Sequence, residues 1–186
     1  MKRAAMLHAR DREPRCELVL NEAIHDRLMA MLPEADAFVW IVTADIKDMY
    51  VKRARKFVPF VEVLAELVRR GVGVRLFHAK EPGPRFREDF DAQPELLESE
   101  LFERIMCPRL HTKAVVVDGR VALVGSANLT GAGMGAKHAD KRNFEAAFWT
   151  NLPEHVDPLV EFIDGLYLGE RCKTCRRREL CPDPIA

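Results

Sequence analysis

The sequence lacks any excess of charge of one sign. Its 29 Lys and Arg balance 29 Asp and Glu, giving a formal net charge of zero. A basic field over the whole molecule, which alone would signal nucleic acid, is therefore excluded. No apolar run approaches the ~20 residues needed to span a bilayer. The opening MKRAAMLHARDREPR is basic but has no apolar core of a secretory leader. No amphipathic stretch offers the exposed aromatic face of a membrane-surface helix. What remains is ordinary for a folded domain: 186 residues, 48% apolar and 31% charged. That length supports one hydrophobic core and is too short for two comfortable ones. Five cysteines in a chain without an export signal imply a reducing cytoplasm. There, cysteines are more often metal ligands or buried thiols than disulfides.

Hydrophobic periodicity divides the chain. Residues 1–13 are polar and expected to be a flexible N-terminus. Residues 15–20 read as a short strand, and Asn21 as the cap of a helix over 22–31 with Ile24, Leu28 and Met31 on one face. The run AFVWIVT at 37–43 suits a strand covered on both faces. Residues 57–70 form an amphipathic pattern, and VGVRLF at 72–77 is a second buried strand. Strand, helix and strand in that order predict a parallel pair with a right-handed crossover. Residues 81–94, rich in proline and charge, read as a loop. Residues 95–106 read as an acidic helix with Leu96, Leu97, Leu101 and Ile105 apolar. Strands at 112–117 and 121–124 are joined by Asp118-Gly119, a hairpin signal. A Gly-rich loop over 126–142, a strand at 144–150 and a helix at 153–167 follow. The economical reading is an α/β domain over 14–168 and a Cys-rich tail over 169–186 that cannot build its own core.

The segment from 111 to 128, HTKAVVVDGRVALVGSAN, carries the chemistry. Side chains two apart in a strand share a face, so His111 and Lys113 project together. The ammonium can hold a phosphate oxygen while the imidazole attacks phosphorus or moves a proton. The hairpin returns Gly125, Ser126 and Asn128 beside them. Gly125 permits close backbone approach, and Ser126 and Asn128 offer a hydroxyl and an amide to anionic oxygens.

This pattern, H-x-K-x4-D-x6-G-S-x-N, resembles the HKD signature of the phospholipase D superfamily at His111, Lys113, Asp118, Gly125, Ser126 and Asn128. The resemblance extends over about residues 15–165. It implies a mixed β-sheet sandwiched between helix layers and a phosphodiesterase mechanism that needs no cofactor for catalysis. It also implies a phosphohistidine intermediate and a second histidine that protonates the leaving group. On that resemblance His111 is the nucleophile, Lys113 and Asn128 hold the non-bridging oxygens, and Ser126 adds a hydrogen bond. Asp118 belongs to the signature but is read as a turn and salt-bridge residue in preference to direct catalysis. Glu145 is either the acid that orients the imidazole or a solvated strand carboxylate. Only one complete copy is present: His78-Ala79-Lys80 repeats H-x-K, but Arg85 stands where an Asp is needed and no G-S-x-N follows. His78 is therefore read as a strand-end histidine. Two histidines would require a homodimer with the site on its twofold axis.

The tail CKTCRRRELCP places Cys172, Cys175 and Cys181 within ten residues, a metal-ligand pattern. Cys107, four residues before His111, is the favoured fourth ligand, and Cys16 the alternative. The tail resembles C-terminal extensions of some single-copy phospholipase D-like bacterial proteins. Four thiolates suit tetrahedral zinc, which the sequence reading puts first, or a [4Fe–4S] cluster. Basic residues gather at Lys52, Arg53, Arg55 and Lys56; at Lys137, Lys141 and Arg142; and at Arg176, Arg177 and Arg178. A groove bordered by them would suit a polyanionic backbone. The expectation is a nuclease of the HKD type. The alternatives are a phospholipase D-type hydrolase or transphosphatidylase acting on phospholipid, and a non-catalytic module that binds phosphate or nucleic acid.

Overall fold

The computed structural model describes residues 13–53, 56–135, 138–182 and 185. The expected flexible N-terminus, apart from Glu13, lies outside the described residues, as do Arg55 and Lys137 of the basic groups. Seven strands form one mixed sheet. They are β1 (Cys16–Leu20), β2 (Phe38–Thr43), β5 (Gly73–His78), β6 (Phe102–Met106), β7 (Ala114–Val117), β8 (Val121–Gly125) and β9 (Ala146–Thr150). Their spatial order is β1-β9-β8-β7-β2-β5-β6. The β2–β5 and β5–β6 pairs are parallel and the others antiparallel. A separate hairpin joins β3 (Tyr50–Arg53) to β4 (Lys56–Pro59).

Helices cover both faces. On one side lie α1 (Glu22–Met31) and α2 (Phe60–Arg69), together with α3 (Pro84–Asp91) and α4 (Pro94–Glu98). On the other lies α5 (Pro153–Tyr167), with Val156 and Ile163 in the second core. Strand β2 shows why its sequence is nearly all apolar: Val39 and Ile41 enter the first core while Phe38, Trp40 and Val42 serve the second. Helix α2 buries Phe60, Val61, Val63, Leu64, Ala65, Leu67 and Val68. At ~1.5–3 kcal/mol for each large apolar side chain, this one face contributes more than the net stability of a typical domain. The strand–helix–strand unit and its parallel pairing are as expected. Among the described residues no helix is long and apolar enough to cross a membrane.

Four local expectations are corrected. Residues 95–106 are not one helix. Ser99 is extended (φ −87°, ψ 133°), α4 stops at Glu98, and β6 pairs with the open edge of β5. Cross-strand charge explains the preference: Arg75 on β5 binds Glu103 on β6 at 2.7 Å, and the Tyr167 hydroxyl donates to the same carboxylate at 2.7 Å. The expected loop at 81–94 contains α3, because Phe86 and Phe90, one turn apart, both reach the core. Helix α2 begins at Phe60 rather than Phe57, because the residues before it pair in the β3–β4 hairpin. Asn21 makes no side-chain cap. Its side-chain Oδ1 instead accepts the Glu145 N–H at 3.1 Å, and its backbone N–H donates to the Glu145 carbonyl at 2.9 Å.

Candidate active site

The turn at Asp118-Gly119 sets the geometry. Both residues have positive φ, 54° and 62°. A two-residue turn of that hand matches the twist of the strands it joins. It aligns β7 with β8 so that Ala114 opposes Val124, and the Gly125 N–H donates to the Lys113 carbonyl at 3.1 Å. Beyond β8, the Ser126 N–H donates to the Ala146 carbonyl at 3.0 Å. Gly125 is obligatory here: a Cβ on it would lie 2.4 Å from the Ala146 carbonyl oxygen and 2.5 Å from the Ala147 Cβ. His111, Lys113, Ser126, Asn128 and Glu145 thus gather at one end of the sheet. It is the end where parallel strands β2 and β5 present their carboxyl termini, the usual ligand edge of an α/β sheet.

His111 and Lys113 lie just before β7 rather than within it, since the strand begins at Ala114. Their proximity survives. The Lys113 ammonium is 3.2 Å and 3.4 Å from the two ring nitrogens of His111 and donates to the His111 carbonyl at 2.7 Å. His111 is exposed and Lys113 half-buried. Burial lowers the Lys113 pKa below the ordinary lysine range, and the Glu145 carboxylate only partly opposes it.

Asn128 is held by residues the sequence did not announce. Its side-chain Oδ1 accepts the Asp45 N–H at 3.1 Å and lies 3.4 Å from the Thr43 hydroxyl, which donates to the Asp45 carbonyl at 2.8 Å and accepts the Leu129 N–H at 3.0 Å. With that oxygen committed, the amide NH2 is the group left to bind an anion. Thr43 closes β2, and nothing in its spacing marked it. Ser126 donates through its hydroxyl to the Glu145 carboxylate and accepts the Ala146 N–H at 3.1 Å. The other Glu145 oxygen accepts from the Asn143 amide at 3.0 Å. Glu145 therefore binds Ser126 and Asn143, and among the described residues it makes no hydrogen bond to His111. The carboxylate acts instead on Lys113 through its charge.

Asp118 stands at the opposite end of β7, ~17 Å from Lys113 along an extended strand. Its carboxylate accepts the N–H groups of Asp36, Ala37 and Phe38 at 2.9, 2.8 and 2.7 Å, and Arg120 adds a charged bond. The structure does not bring it to the other signature residues. His78 is fully buried at the end of β5, with Nδ1 2.7 Å from the Lys80 carbonyl. Burial lowers its pKa, as a structural strand-end histidine requires.

Cys107, Cys172, Cys175 and Cys181 line one cavity of about 160 Å³. Cys16 lies on β1 at the far edge of the sheet and is exposed. The Arg177 N–H and the Arg109 guanidinium hold the Cys175 thiol below the ordinary thiol range. Among the described residues no three His, Cys, Asp or Glu side chains are placed to share a single ion.

A family model described as "Cardiolipin synthase, PLD-like domain" matches residues 28–166. The chain belongs to the phospholipase D-like family. Solved structures share the fold of this phospholipase D-like chain at low identity. NucT from Helicobacter pylori is 14% identical, with a TM-score of 0.57 over 81% of this chain and 93% of that one. Nuc from Salmonella typhimurium, a phospholipase D family member, is 18% identical, with a TM-score of 0.58 over 81% and 91%. TrmBL2, an archaeal chromatin protein, is 16% identical, with a TM-score of 0.56 over 89% of this chain and 58% of its own. No curated protein matches the sequence.

Proposed function

We propose that the chain is a phosphodiesterase that cleaves nucleic-acid backbones as a homodimer, through a phosphohistidine. The observation that carries this reading is the convergence of His111, Lys113, Ser126 and Asn128 at one sheet edge, with the ammonium beside both ring nitrogens. Lys113 and the Asn128 amide would hold the non-bridging oxygens of a phosphodiester, the ammonium through charge-assisted bonds. The His111 imidazole attacks phosphorus. A P–N bond forms, the P–O bond to the leaving group breaks, and the second histidine gives that oxygen its proton. Water then attacks the phosphorus, loses its proton to the same second imidazole, and the P–N bond breaks.

One chain carries one signature, so the second imidazole comes from a second copy. The surface beside the site supports this. Leu18 and Leu20 on β1 and Phe148 on β9 are 60%, 51% and 54% exposed on the sheet face that α5 leaves uncovered. Phe144, next to Glu145, is 97% exposed. An exposed apolar stretch at the rim of an incomplete site fits an isologous interface.

Nucleic acid is favoured by the basic residues near the site and in the tail. Lys141 borders the loop after the signature, and Arg176, Arg177 and Arg178 are all exposed. Among the structural neighbours, TrmBL2 is described as showing a novel mode of DNA binding. The family description names a cardiolipin synthase, and phospholipid is the second reading. The test is incubation of purified chain with single-stranded DNA and, separately, with phospholipid vesicles, together with measurement of its mass in solution. Cleavage of DNA by a dimer, abolished in a folded His111→Asn variant, is expected. Release of a lipid headgroup with no DNA cleavage would transfer the activity to phospholipid. A monomer that turns over DNA would defeat the shared site.

A further inference from the structure

The C-terminal tail has few apolar residues of its own, yet it folds back on the domain. From 171 to 182 every side chain is exposed except Cys172, Cys175 and Cys181, which are half-buried. Leu180 is 72% exposed, and beyond this stretch Ile185 is half-buried and lines the same cavity as the cysteines. Successive turns produce this pattern. The Cys172, Cys175 and Cys181 N–H groups donate three residues back, to Gly169 at 2.8 Å, Cys172 at 3.1 Å and Arg178 at 3.1 Å. A segment that turns only thiols inward is arranged around a thiol ligand rather than around a core. Opposite them stands Cys107, whose N–H donates to the His78 carbonyl at 2.9 Å, at the start of the segment that leads to His111.

We propose that Cys107, Cys172, Cys175 and Cys181 bind a [4Fe–4S] cluster that fastens the tail to the segment carrying His111. The choice between one ion and a cluster turns on space. Zinc bonds thiolates at ~2.3 Å, which places four tetrahedral sulfurs ~3.8 Å apart around a point with no room to spare. Here the four cysteines line a partly open cavity of about 160 Å³, shared with His111, Phe77, Phe162 and Ile185. A single water needs only ~10–15 Å³ on such a measure. No three of the candidate ligands are placed to share an ion. A cluster of about eight heavy atoms occupies such a space, with one thiolate on each iron.

The walls suit it. Phe77, Phe162 and Leu166 give the cavity an apolar wall, and Arg109, Arg171 and Arg177 would offset the negative charge of a four-thiolate cluster. On binding, four bonds from iron to cysteine sulfur form and four thiol protons leave to solvent; two ferrous ions, two ferric ions and four sulfides come from outside the chain, so no electron is gained or lost. With each iron carrying a cysteine, the cluster is a fastening and not a seat for substrate. Its occupancy stands independently of the phosphodiesterase reading.

The experiment uses the full chain, purified without oxygen and then treated with ferrous and ferric iron and sulfide in the absence of oxygen. About four iron and four sulfide per chain are expected, with visible absorption that fades on reduction. Each of Cys107→Ser, Cys172→Ser, Cys175→Ser and Cys181→Ser should lose most of the iron, and Cys16→Ser none. One zinc per chain without iron, or no metal after reconstitution, overturns the proposal. So does Cys16→Ser losing iron while Cys107→Ser retains it. If the four serine variants fail to fold, the wild-type iron, sulfide and zinc content decides alone.

Discussion

Replacing Asp118 by Ala separates the architecture of the signature from its chemistry. The Asp118 side chain is only 6% exposed and accepts three backbone N–H bonds and one from Arg120. An N–H left without its partner in the interior costs roughly 1–3 kcal/mol. Those of Asp36 and Ala37 lie near the surface and regain water, so the expected loss is ~2–4 kcal/mol in all. Against a usual total of ~5–15 kcal/mol, that is large, and it should move a urea midpoint by ~1–2 M. Turnover per folded molecule, measured well below the transition, should change by less than ~3-fold, because Asp118 stands a strand's length from Lys113. The pH dependence has a fixed sign. Burial acts to raise the Asp118 pKa, but the three N–H groups and Arg120 outweigh it and leave the pKa lowered. Its contribution is therefore complete above the unfolded value of ~3.9 and is lost as pH falls through the lower folded value. The wild type should lose more stability than Asp118→Ala as pH drops below ~4. Loss of turnover in Asp118→Ala with an unchanged urea midpoint would refute this reasoning.

Lys113 supplies a second pH signature. Its pKa lies below the ordinary lysine range through burial, opposed by Glu145, so kcat/KM should fall at alkaline pH as the ammonium deprotonates. Glu145→Gln removes the opposing charge, and the alkaline limb should move to lower pH in a pH–rate profile; an unmoved limb would exclude Lys113 as the titrating group. Thr43→Val removes the hydroxyl that bonds both the Asn128 side chain and the Leu129 N–H. It should cost ~1–3 kcal/mol of stability for the buried N–H left unpaired and weaken substrate binding more than Thr43→Ser, as read in KM. Gly125→Ala places a Cβ against the Ala146 carbonyl and should destabilise the fold by ~1–3 kcal/mol, visible in thermal unfolding.

The parts of the fold with one dominant signal were legible in the sequence. The 37–43 and 72–77 strands and the helix between them announce themselves because both strands are covered on both faces, and α2 turns seven buried side chains to the core. The Asp118-Gly119 turn was legible because two successive positive φ values favour such a pair. Elements chosen by tertiary contact were not. β6 exists because β5 has an open edge and Arg75 awaits Glu103, neither of which a local window sees. α3 hid behind proline and charge because its support is only Phe86 and Phe90. In the site, His111, Lys113, Ser126 and Asn128 came from spacing that the hairpin converts into contact. Thr43 and Asp45 are brought in by the sheet order, and no spacing along the chain predicts them; Asn143 reaches Glu145 from only two residues away. Asn21 was read as a helix cap because its type and position fit one, but its bonds to Glu145 serve the sheet edge instead.

The proposed reaction stands on attack of the His111 imidazole at phosphorus. Rapid quenching of the wild type during turnover of end-labelled DNA, followed by peptide mass analysis at a pH that preserves phosphoramidates, tests it most directly. A substrate fragment bound to His111 through nitrogen, absent from His111→Asn, is expected. Sustained turnover with no adduct on His111, or an active His111→Asn, would contradict it.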